Sequence, residues 1–306
     1  MKVSVLIPVF NSGKFLGACL ASILAQDFRD MEILIADDGT DDGTVEIIKD
    51  FAARDRRIRW WKNPHNLGLS PNHNACLRQA RGEFIKFIHG DDLLLDTALI
   101  SRMVDILEQN LDVSLVVSGA QIINEQSHVL KRLDCSWSTG IQDGKTVIVQ
   151  CLEQNANLIG EPVRTLFRRS QARRGFNERY RQIVDLEMWF HLLEQGSLAF
   201  MAEPLVAYRI HPQQATQTHH RTGASADEQL RLLTDYYRQP WLDEYASRRM
   251  WFKQSYYLRK YYGEQASEII AHMRKRLGPS GYALGWVRHR LSSPVKKLAQ
   301  RMAGNR

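Results

Sequence analysis

The 306-residue chain has no long apolar run. No window approaches the roughly 18 uncharged apolar residues of a spanning helix, so a transmembrane anchor is not expected. The apolar stretch Val3–Phe10 is short, carries Pro8 and has no small-residue cleavage site; it reads as a strand and not as a signal peptide. Cysteine is scarce. Cys19, Cys76, Cys135 and Cys151 form no CxxC pair, which argues against a zinc site and a disulfide framework and fits reduced thiols in a cytoplasmic protein. Two glycine-rich phosphate cradles are also missing. Without GxGxxG after the first strand a dehydrogenase is disfavoured, and without GxxxxGK[ST] so is a P-loop enzyme. What is present is ordinary for a globular protein: 44% apolar and 25% charged residues, enough to exclude a disordered chain.

The net charge of +7 is unevenly spread. From Arg248 onward 14 Lys and Arg face only Glu264 and Glu268, a tail of +12 that leaves −5 for residues 1–247. An acidic body with a basic end implies two regions with different partners.

The first half alternates apolar runs with helical periodicity. Strands are expected at Val3–Val9, Glu32–Ala36, Arg57–Trp61, Glu83–Ile88 and Ser114–Ser118. Helices are expected at Gly13–Gln26, after the polar loop Asp37–Thr44, at Pro71–Ala80 and at Asp96–Gln109. This alternation predicts an α/β fold with a mostly parallel central sheet and helices on both faces. Gln121–Gly160 resists assignment, and Gly160–Phe167 reads as strand or loop. Ile183–Gln195 reads as helix, and Leu198–Ile210 as extended chain that Pro204 confines to an edge or splits. Gln213–Ser225 is the expected linker, dividing a domain at 1–215 from a helical, basic C-terminal extension at 216–306.

Carboxylates gather where ligands of open parallel sheets bind, beyond the carboxyl ends of strands. Asp37 and Asp38 follow the second strand, Asp91 and Asp92 the fourth, and Asp185 opens a later helix. Grouped carboxylates repel unless positive charge sits among them, and a hard divalent cation shared with a phosphate is the simplest answer.

Six segments carry a resemblance. They are Ser4–Asn11, the Asp37–Thr44 loop, Asn66-Leu67-Gly68, Gly82-Glu83-Phe84 leading to Asp91-Asp92, Val184–Trp189, and Tyr208-Arg209-Ile210-His211-Pro212. In this order they resemble the signatures of the family 2 inverting nucleotide-sugar glycosyltransferases of GT-A fold, over residues 1 to about 215. The resemblance implies that Pro8, Val9 and Asn11 meet the nucleotide, and that Asp38 accepts from a base N–H such as that of uracil. It implies that Asp91 faces the ribose or the metal's water shell, and that Asp92, with Asp91 and His211, holds Mg2+ or Mn2+ on the diphosphate. Asp185 would be the general base. His73 stands where the family often has Arg near the nucleotide, and Val184 where it usually has Glu. The acceptor is expected near Asn157–Arg169, through Glu161, Arg164 and Arg168, with Glu187 a further candidate.

Each assignment has a plainer alternative. Asp37 and the Asp91-Asp92 pair suit helix caps, Asp185 a helix-dipole charge, and His211 a structural histidine. The tail aromatics Trp251, Phe252, Tyr256, Tyr257, Tyr261, Tyr262 and Trp286, among Lys and Arg, suit an anionic membrane surface on the inner face of the plasma membrane. A solvated cap or a dimer surface is the alternative. The expected partners are a nucleotide-sugar donor and a saccharide or lipid-linked acceptor in cell-surface polysaccharide synthesis. No nucleic acid is expected, and an oligomer is compatible. Two other readings stand beside the enzyme: a non-catalytic nucleotide-sugar-binding protein of the same fold, and a nucleic-acid-binding protein acting through its tail.

Overall fold

The structure, a computed structural model, describes residues 1–133, 137–212, 214 and 224–278. Two compact units emerge: Met1–Ile148 with Ala156–Glu228, and Val149–Asn155 with Gln229–Arg306. The division falls after Glu228, within a helix, and the second unit takes a short segment from the middle of the chain. The expected linker Gln213–Ser225 lies almost wholly outside the described residues, as do Cys135, Trp286, Val287, Arg288, Arg290, Lys296 and Lys297.

Among the described residues the larger unit has ten strands: β1 (Val3–Val9), β2 (Met31–Asp37), β3 (Ile58–Lys62), β4 (Phe84–Phe87), β5 (Leu93–Leu94), β6 (Val113–Ile123), β7 (Val129–Arg132), β8 (Gly140–Gln142), β9 (Thr165–Arg168) and β10 (Ser197–Arg209). Their order is β3-β2-β1-β4-β9-β6-β10-β5, with β7 on β6 and β8 on β10. The long pairings, β1 with β2 and β4, β2 with β3, and β6 with β10, are parallel. The short β9 runs antiparallel to both β4 and β6 and joins the two parallel halves. β1 is buried along its whole length, as a strand covered on both faces must be. Pro8 is tolerated there because β4 pairs only as far as Leu6, so no ladder on that side asks for its missing N–H.

Val3, Val5, Ile7 and Val9 share one apolar cluster with Leu16, Cys19, Leu20 and Ile23 of α1 (Leu16–Leu24). Leu99, Ile100, Met103, Val104 and Leu107, from a helix at Leu99–Gln109, join the same cluster. The period-2 alternation of β1 turns Leu6 to the other face. There the helix Leu69–Gln79 packs against β1 and β2 outside that cluster. In chain order the helices of this unit are α1, α2 (Thr44–Arg54), α3 (Leu69–Gln79), α4 (Leu99–Gln109), α5 (Gly144–Gln154, which runs on into the second unit) and α6 (Val184–Leu193).

Pro204 does not split β10. Its pairing with β6 instead shifts register on both sides of Pro204. On the far edge β8 covers Leu198–Phe200 and β5 covers Val206–Ala207, leaving Pro204 between two partners, where no N–H is required.

The second unit is helical, with α7 (Ala224–Tyr237), α8 (Leu242–Tyr245), α9 (Arg248–Tyr262) and a further helical stretch from 267 to 278. Ser247 caps α9 by accepting from the Met250 N–H at 3.1 Å. Trp251 and Tyr262, expected on a membrane-facing surface, are buried instead: Trp251 packs edge-on to Tyr237 and under the Arg276 guanidinium. A helix with Met250, Trp251, Gln254, Leu258 and Tyr262 inside has its apolar stripe consumed by this unit's own core. Tyr261, Arg259, Lys260 and Lys275 remain exposed. Among the described residues no helix is long and apolar enough to cross a membrane.

Candidate functional site

The carboxyl ends of β1, β2 and β4 bring the predicted site segments together. Beyond β1, Asn11 adopts the left-handed region (φ 49°), and the Asp38 N–H donates to the Val9 carbonyl at 2.9 Å, tying the two strand ends. Asp38 is 3% exposed. Its carboxylate accepts from Asn63 Nδ2 (2.8 Å), the Leu67 N–H (2.9 Å) and the Gly68 N–H (2.9 Å). Three protein donors on a four-site acceptor make Asp38 the brace of the Asn66–Gly68 loop, not a carboxylate facing a base alone. Gly68 holds φ 87°, which a side chain would strain. Asp37 accepts from the Thr40 N–H within its own loop at 3.0 Å, and Lys62 lies 3.6 Å from its other oxygen.

The Asp91-Asp92 pair is drawn inward. Asp92 is fully buried: one oxygen accepts from the Arg209 N–H at 3.1 Å, and the other, Oδ2, has no hydrogen-bond partner. Burial first, then the adjacent Asp91, hold its carboxyl well above the ordinary range. Asp91 is half-buried, 3.0 Å from His211 Nε2. Burial pushes its carboxyl up, but the His211 hydrogen bond and the neighbouring His89 and His211 rings outweigh that and leave it below its usual value. Gly90 lets the chain pass close to Ser12, since a Cβ at Gly90 would stand 2.9 Å from the Ser12 Cβ. Two residues to which the sequence reading gave no role complete the cluster. His89 offers a ring nitrogen that lies, with carboxylate oxygens of Asp91 and Asp92, within a 4.8 Å group. Arg209, 1% exposed, donates from Nε to the Asp91 carbonyl (2.8 Å) and from Nη1 to that of Asn124 (2.7 Å), putting a fixed positive charge behind the acids. The signals were in view: His89 lies just past the fourth strand, two residues before the acids, and Arg209 sits inside the closing motif near His211.

His73 does not line a nucleotide cleft. It is completely buried, stacked on Phe87, with Nδ1 2.7 Å from the Leu69 carbonyl and Nε2 3.1 Å from His89 Nε2. Burial, and next the His89 ring, push it down to about 3, so it is neutral.

Asp185 opens α6, and no hydrogen bond or ion pair holds its carboxylate among the described residues. Burial first and the Glu161 charge second push it up to about 7. The same Glu161 acts on Asp92 and His89, so a half-buried carboxylate lies in the field of Asp92, His89 and Asp185. Its Oε2 is buried without a hydrogen-bond partner. Two ties hold it there. Trp189, one turn after Asp185 on α6, donates from Nε1 to the Gly160 carbonyl at 2.9 Å. Lys86, buried on β4, donates to the carbonyls of Val163 and Thr165 just beyond it. Behind α6, the Glu228 carboxylate accepts from the N–H groups of Arg181 (2.8 Å) and Gln182 (2.9 Å).

The other acceptor candidates are engaged elsewhere. Arg164 is 6% exposed and donates from Nε to the Ser118 carbonyl at 2.9 Å, inside the fold. Glu187 pairs with Arg174 at 2.9 Å; two residues past Asp185 on a helix, it faces another direction. A cavity of about 630 Å³ lies away from the acids, between the end of α3 and residues 169–178.

The profile described as glycosyl transferase family 2 matches residues 4–175. The chain belongs to glycosyltransferase family 2. The family match covers the Asp38 brace, the acid pair and Glu161 but stops short of Asp185 and His211. Among curated relatives, an alignment at 39% identity over 103 residues pairs 33% of each chain with the GalNAc(5)-diNAcBac-PP-undecaprenol beta-1,3-glucosyltransferase of Campylobacter jejuni. Glycosyltransferase EpsJ of Bacillus subtilis is 40% identical over 108 residues, 35% of this chain and 31% of that one. The chain thus spans about a third of the length of both relatives. Among solved structures, Staphylococcus aureus TarS 1-349 in complex with UDP-GlcNAc superposes with a TM-score of 0.67 at 15% identity, over 87% of this chain and 74% of that one. The mannosyltransferase PcManGT of Pyrobaculum calidifontis, in complex with GDP-Man and Mn2+, gives a TM-score of 0.55 at 15% identity over 99% and 84%. These likenesses establish the GT-A type of fold.

Proposed function

We propose that this family member transfers a sugar, with inversion, from a nucleoside-diphosphate donor, a UDP-sugar in preference, to a hydroxyl of a saccharide or lipid-linked saccharide acceptor in cell-surface polysaccharide synthesis. The observation that carries the reading is Asp185. A carboxylate unbonded among the described residues and pushed up to about 7 stands in the field of Glu161, which also reaches Asp92. A base poised near neutrality suits abstraction of a hydroxyl proton. The acceptor oxygen attacks the anomeric carbon, its proton passes to Asp185, and the bond to the diphosphate breaks with its electron pair on the departing phosphate. A single displacement inverts the centre.

The donor's nucleoside lies against Pro8, Val9 and Asn11 and the loop that Asp38 braces. The residues fit a divalent cation: Asp92 Oδ2 is an orphaned buried acceptor, with Asp91 and a His89 nitrogen grouped beside it and His211 bonded to Asp91. Asp91, Asp92 and His211 would hold Mg2+ or Mn2+, which when bound offsets the charge gathering on the leaving diphosphate. Arg209 fixes the backbone of Asp91 and the carboxylate of Asp92. The UDP-GlcNAc of the TarS complex and the Mn2+ of the PcManGT complex support donor class and metal by likeness of fold. The exposed Arg259, Lys260, Lys275 and Tyr261 support a peripheral contact with anionic lipid. Reversing the three charges should reduce sedimentation with anionic vesicles, and equal sedimentation removes that contact.

The decisive test of the reaction is Asp185→Asn, with donor binding followed by thermal shift and turnover by release of nucleoside diphosphate. Donor binding should survive while turnover drops by roughly a hundredfold or more. Near-normal turnover would remove Asp185 as base.

A further inference from the structure

We infer that His73 locks His89 in the tautomer that leaves Nδ1 unprotonated, so that His89 supplies a nitrogen ligand to the divalent-cation site and biases it toward Mn2+ over Mg2+. The inference rests on the cation site proposed above and goes beyond it in naming a further ligand, the group that orients it and the metal preferred.

The chain of hydrogen bonds fixes the protons one after another. The Leu69 carbonyl oxygen can only accept, so the His73 nitrogen 2.7 Å from it, Nδ1, carries hydrogen. His73 is 0% exposed, stacked on Phe87 and edge-on to Phe176 with ring centroids 5.1 Å away in each case. No carboxylate among the described residues bonds to it, so the ring stays neutral and Nε2 is an acceptor. The atom facing that acceptor at 3.1 Å is His89 Nε2, which must therefore be the donor. A neutral His89 protonated at Nε2 keeps its lone pair on Nδ1. The residue has one end spent on a protein partner and the other free for a metal, the arrangement in which outer-shell hydrogen bonds orient histidine ligands.

Two observations give the ring something to bind. A ring nitrogen of His89 groups within 4.8 Å with carboxylate oxygens of Asp91 and Asp92. Asp92 Oδ2 is buried with no hydrogen-bond donor of its own. Two carboxylates with one imidazole suit a metal that accepts nitrogen. Mg2+ prefers oxygen and retained water, whereas Mn2+ takes mixed nitrogen and oxygen sets more readily.

The test begins with the full-length wild-type protein, free of metal and labelled with nitrogen-15 at histidine. Its spectrum should show His89 protonated at Nε2; protonation at Nδ1 would overturn the inference. Loaded with Mn2+, the protein should show a directly bonded nitrogen by pulsed electron paramagnetic resonance. In His89→Asp that signal should weaken, and the Mn2+ to Mg2+ affinity ratio should fall by about tenfold. A signal unchanged in His89→Asp would assign the nitrogen to another residue, such as His211, and overturn the inference. His73→Phe, which keeps the aromatic stack but deletes the acceptor, should weaken Mn2+ by about tenfold; unchanged affinity would remove His73 from the relay. Mn2+ binding without any nitrogen signal refutes the inference and leaves the cation site standing. UDP binding with no Mn2+ uptake refutes the cation site and the inference with it.

Discussion

Replacing Asp185 with Asn should stabilise the protein in alkaline solution. In the folded chain this carboxyl titrates near 7, against an ordinary value of 3.8, through burial and secondarily the Glu161 charge. The folded state therefore holds a proton that the unfolded chain releases. The penalty begins near pH 4, grows as the pH rises and is complete above about pH 7. Moving a carboxyl that far corresponds to about 4 kcal/mol, and water reaching a half-buried group reduces it to about 2–4 kcal/mol. Asparagine has the same shape and no charge, so it escapes the penalty. In a unit of this size the gain should raise Tm at pH 8 by roughly 4 °C or more, with a much smaller difference at pH 4.5. Thermal unfolding of both proteins across pH 4.5–8, followed by circular dichroism, measures it. An equal difference at the two ends, or a variant less stable at pH 8, would refute the claim that Asp185 is held in a costly charged state. That cost is what the proposed role of Asp185, a base poised near neutrality, requires: stability given up at the site for function.

Other outcomes follow from the same contacts. Glu161→Gln removes the second cause of the Asp185 displacement, so the ascending limb of turnover against pH should move to lower pH by less than about 1.5 units; a limb that stays fixed or moves up separates Glu161 from Asp185. Lys86→Met strands two buried carbonyls, those of Val163 and Thr165, and should cost roughly 1–3 kcal/mol in urea unfolding. Glu228→Ala frees the N–H groups of Arg181 and Gln182 ahead of α6 and should cost about 1–2 kcal/mol by the same assay.

Much of the catalytic unit was legible because its signals are local. The apolar runs of β1, β2 and β4 and the period of α1 lie within single segments, and the acids sit at strand ends where the rule for open sheets puts them. What was hidden depends on contacts distant in sequence. That β9 runs antiparallel between β4 and β6 is set by partners about 50 to 80 residues away. Pro204 looked like an interruption because its neighbours β8 and β5 were not yet strands. His73 was read by its place near the loop, but α3 turns it toward Phe87 and Phe176. Glu161, Arg164 and Glu187 looked alike in sequence, and packing separates them: only Glu161 lies in the field of Asp185. In the tail, aromatic and basic residues alternate in a way that suits a membrane face or a core equally. The helix buries Trp251 and Tyr262 and leaves Tyr261, Arg259 and Lys260 outside.

The proposed mechanism depends most on a cation at the end of β4 that joins protein to diphosphate. Calorimetric titration of UDP into the wild-type protein and Asp91→Asn, each with and without Mn2+, tests that link directly. Tight binding only for the wild type with Mn2+ is the predicted result. Equal UDP affinity in all four titrations would contradict it.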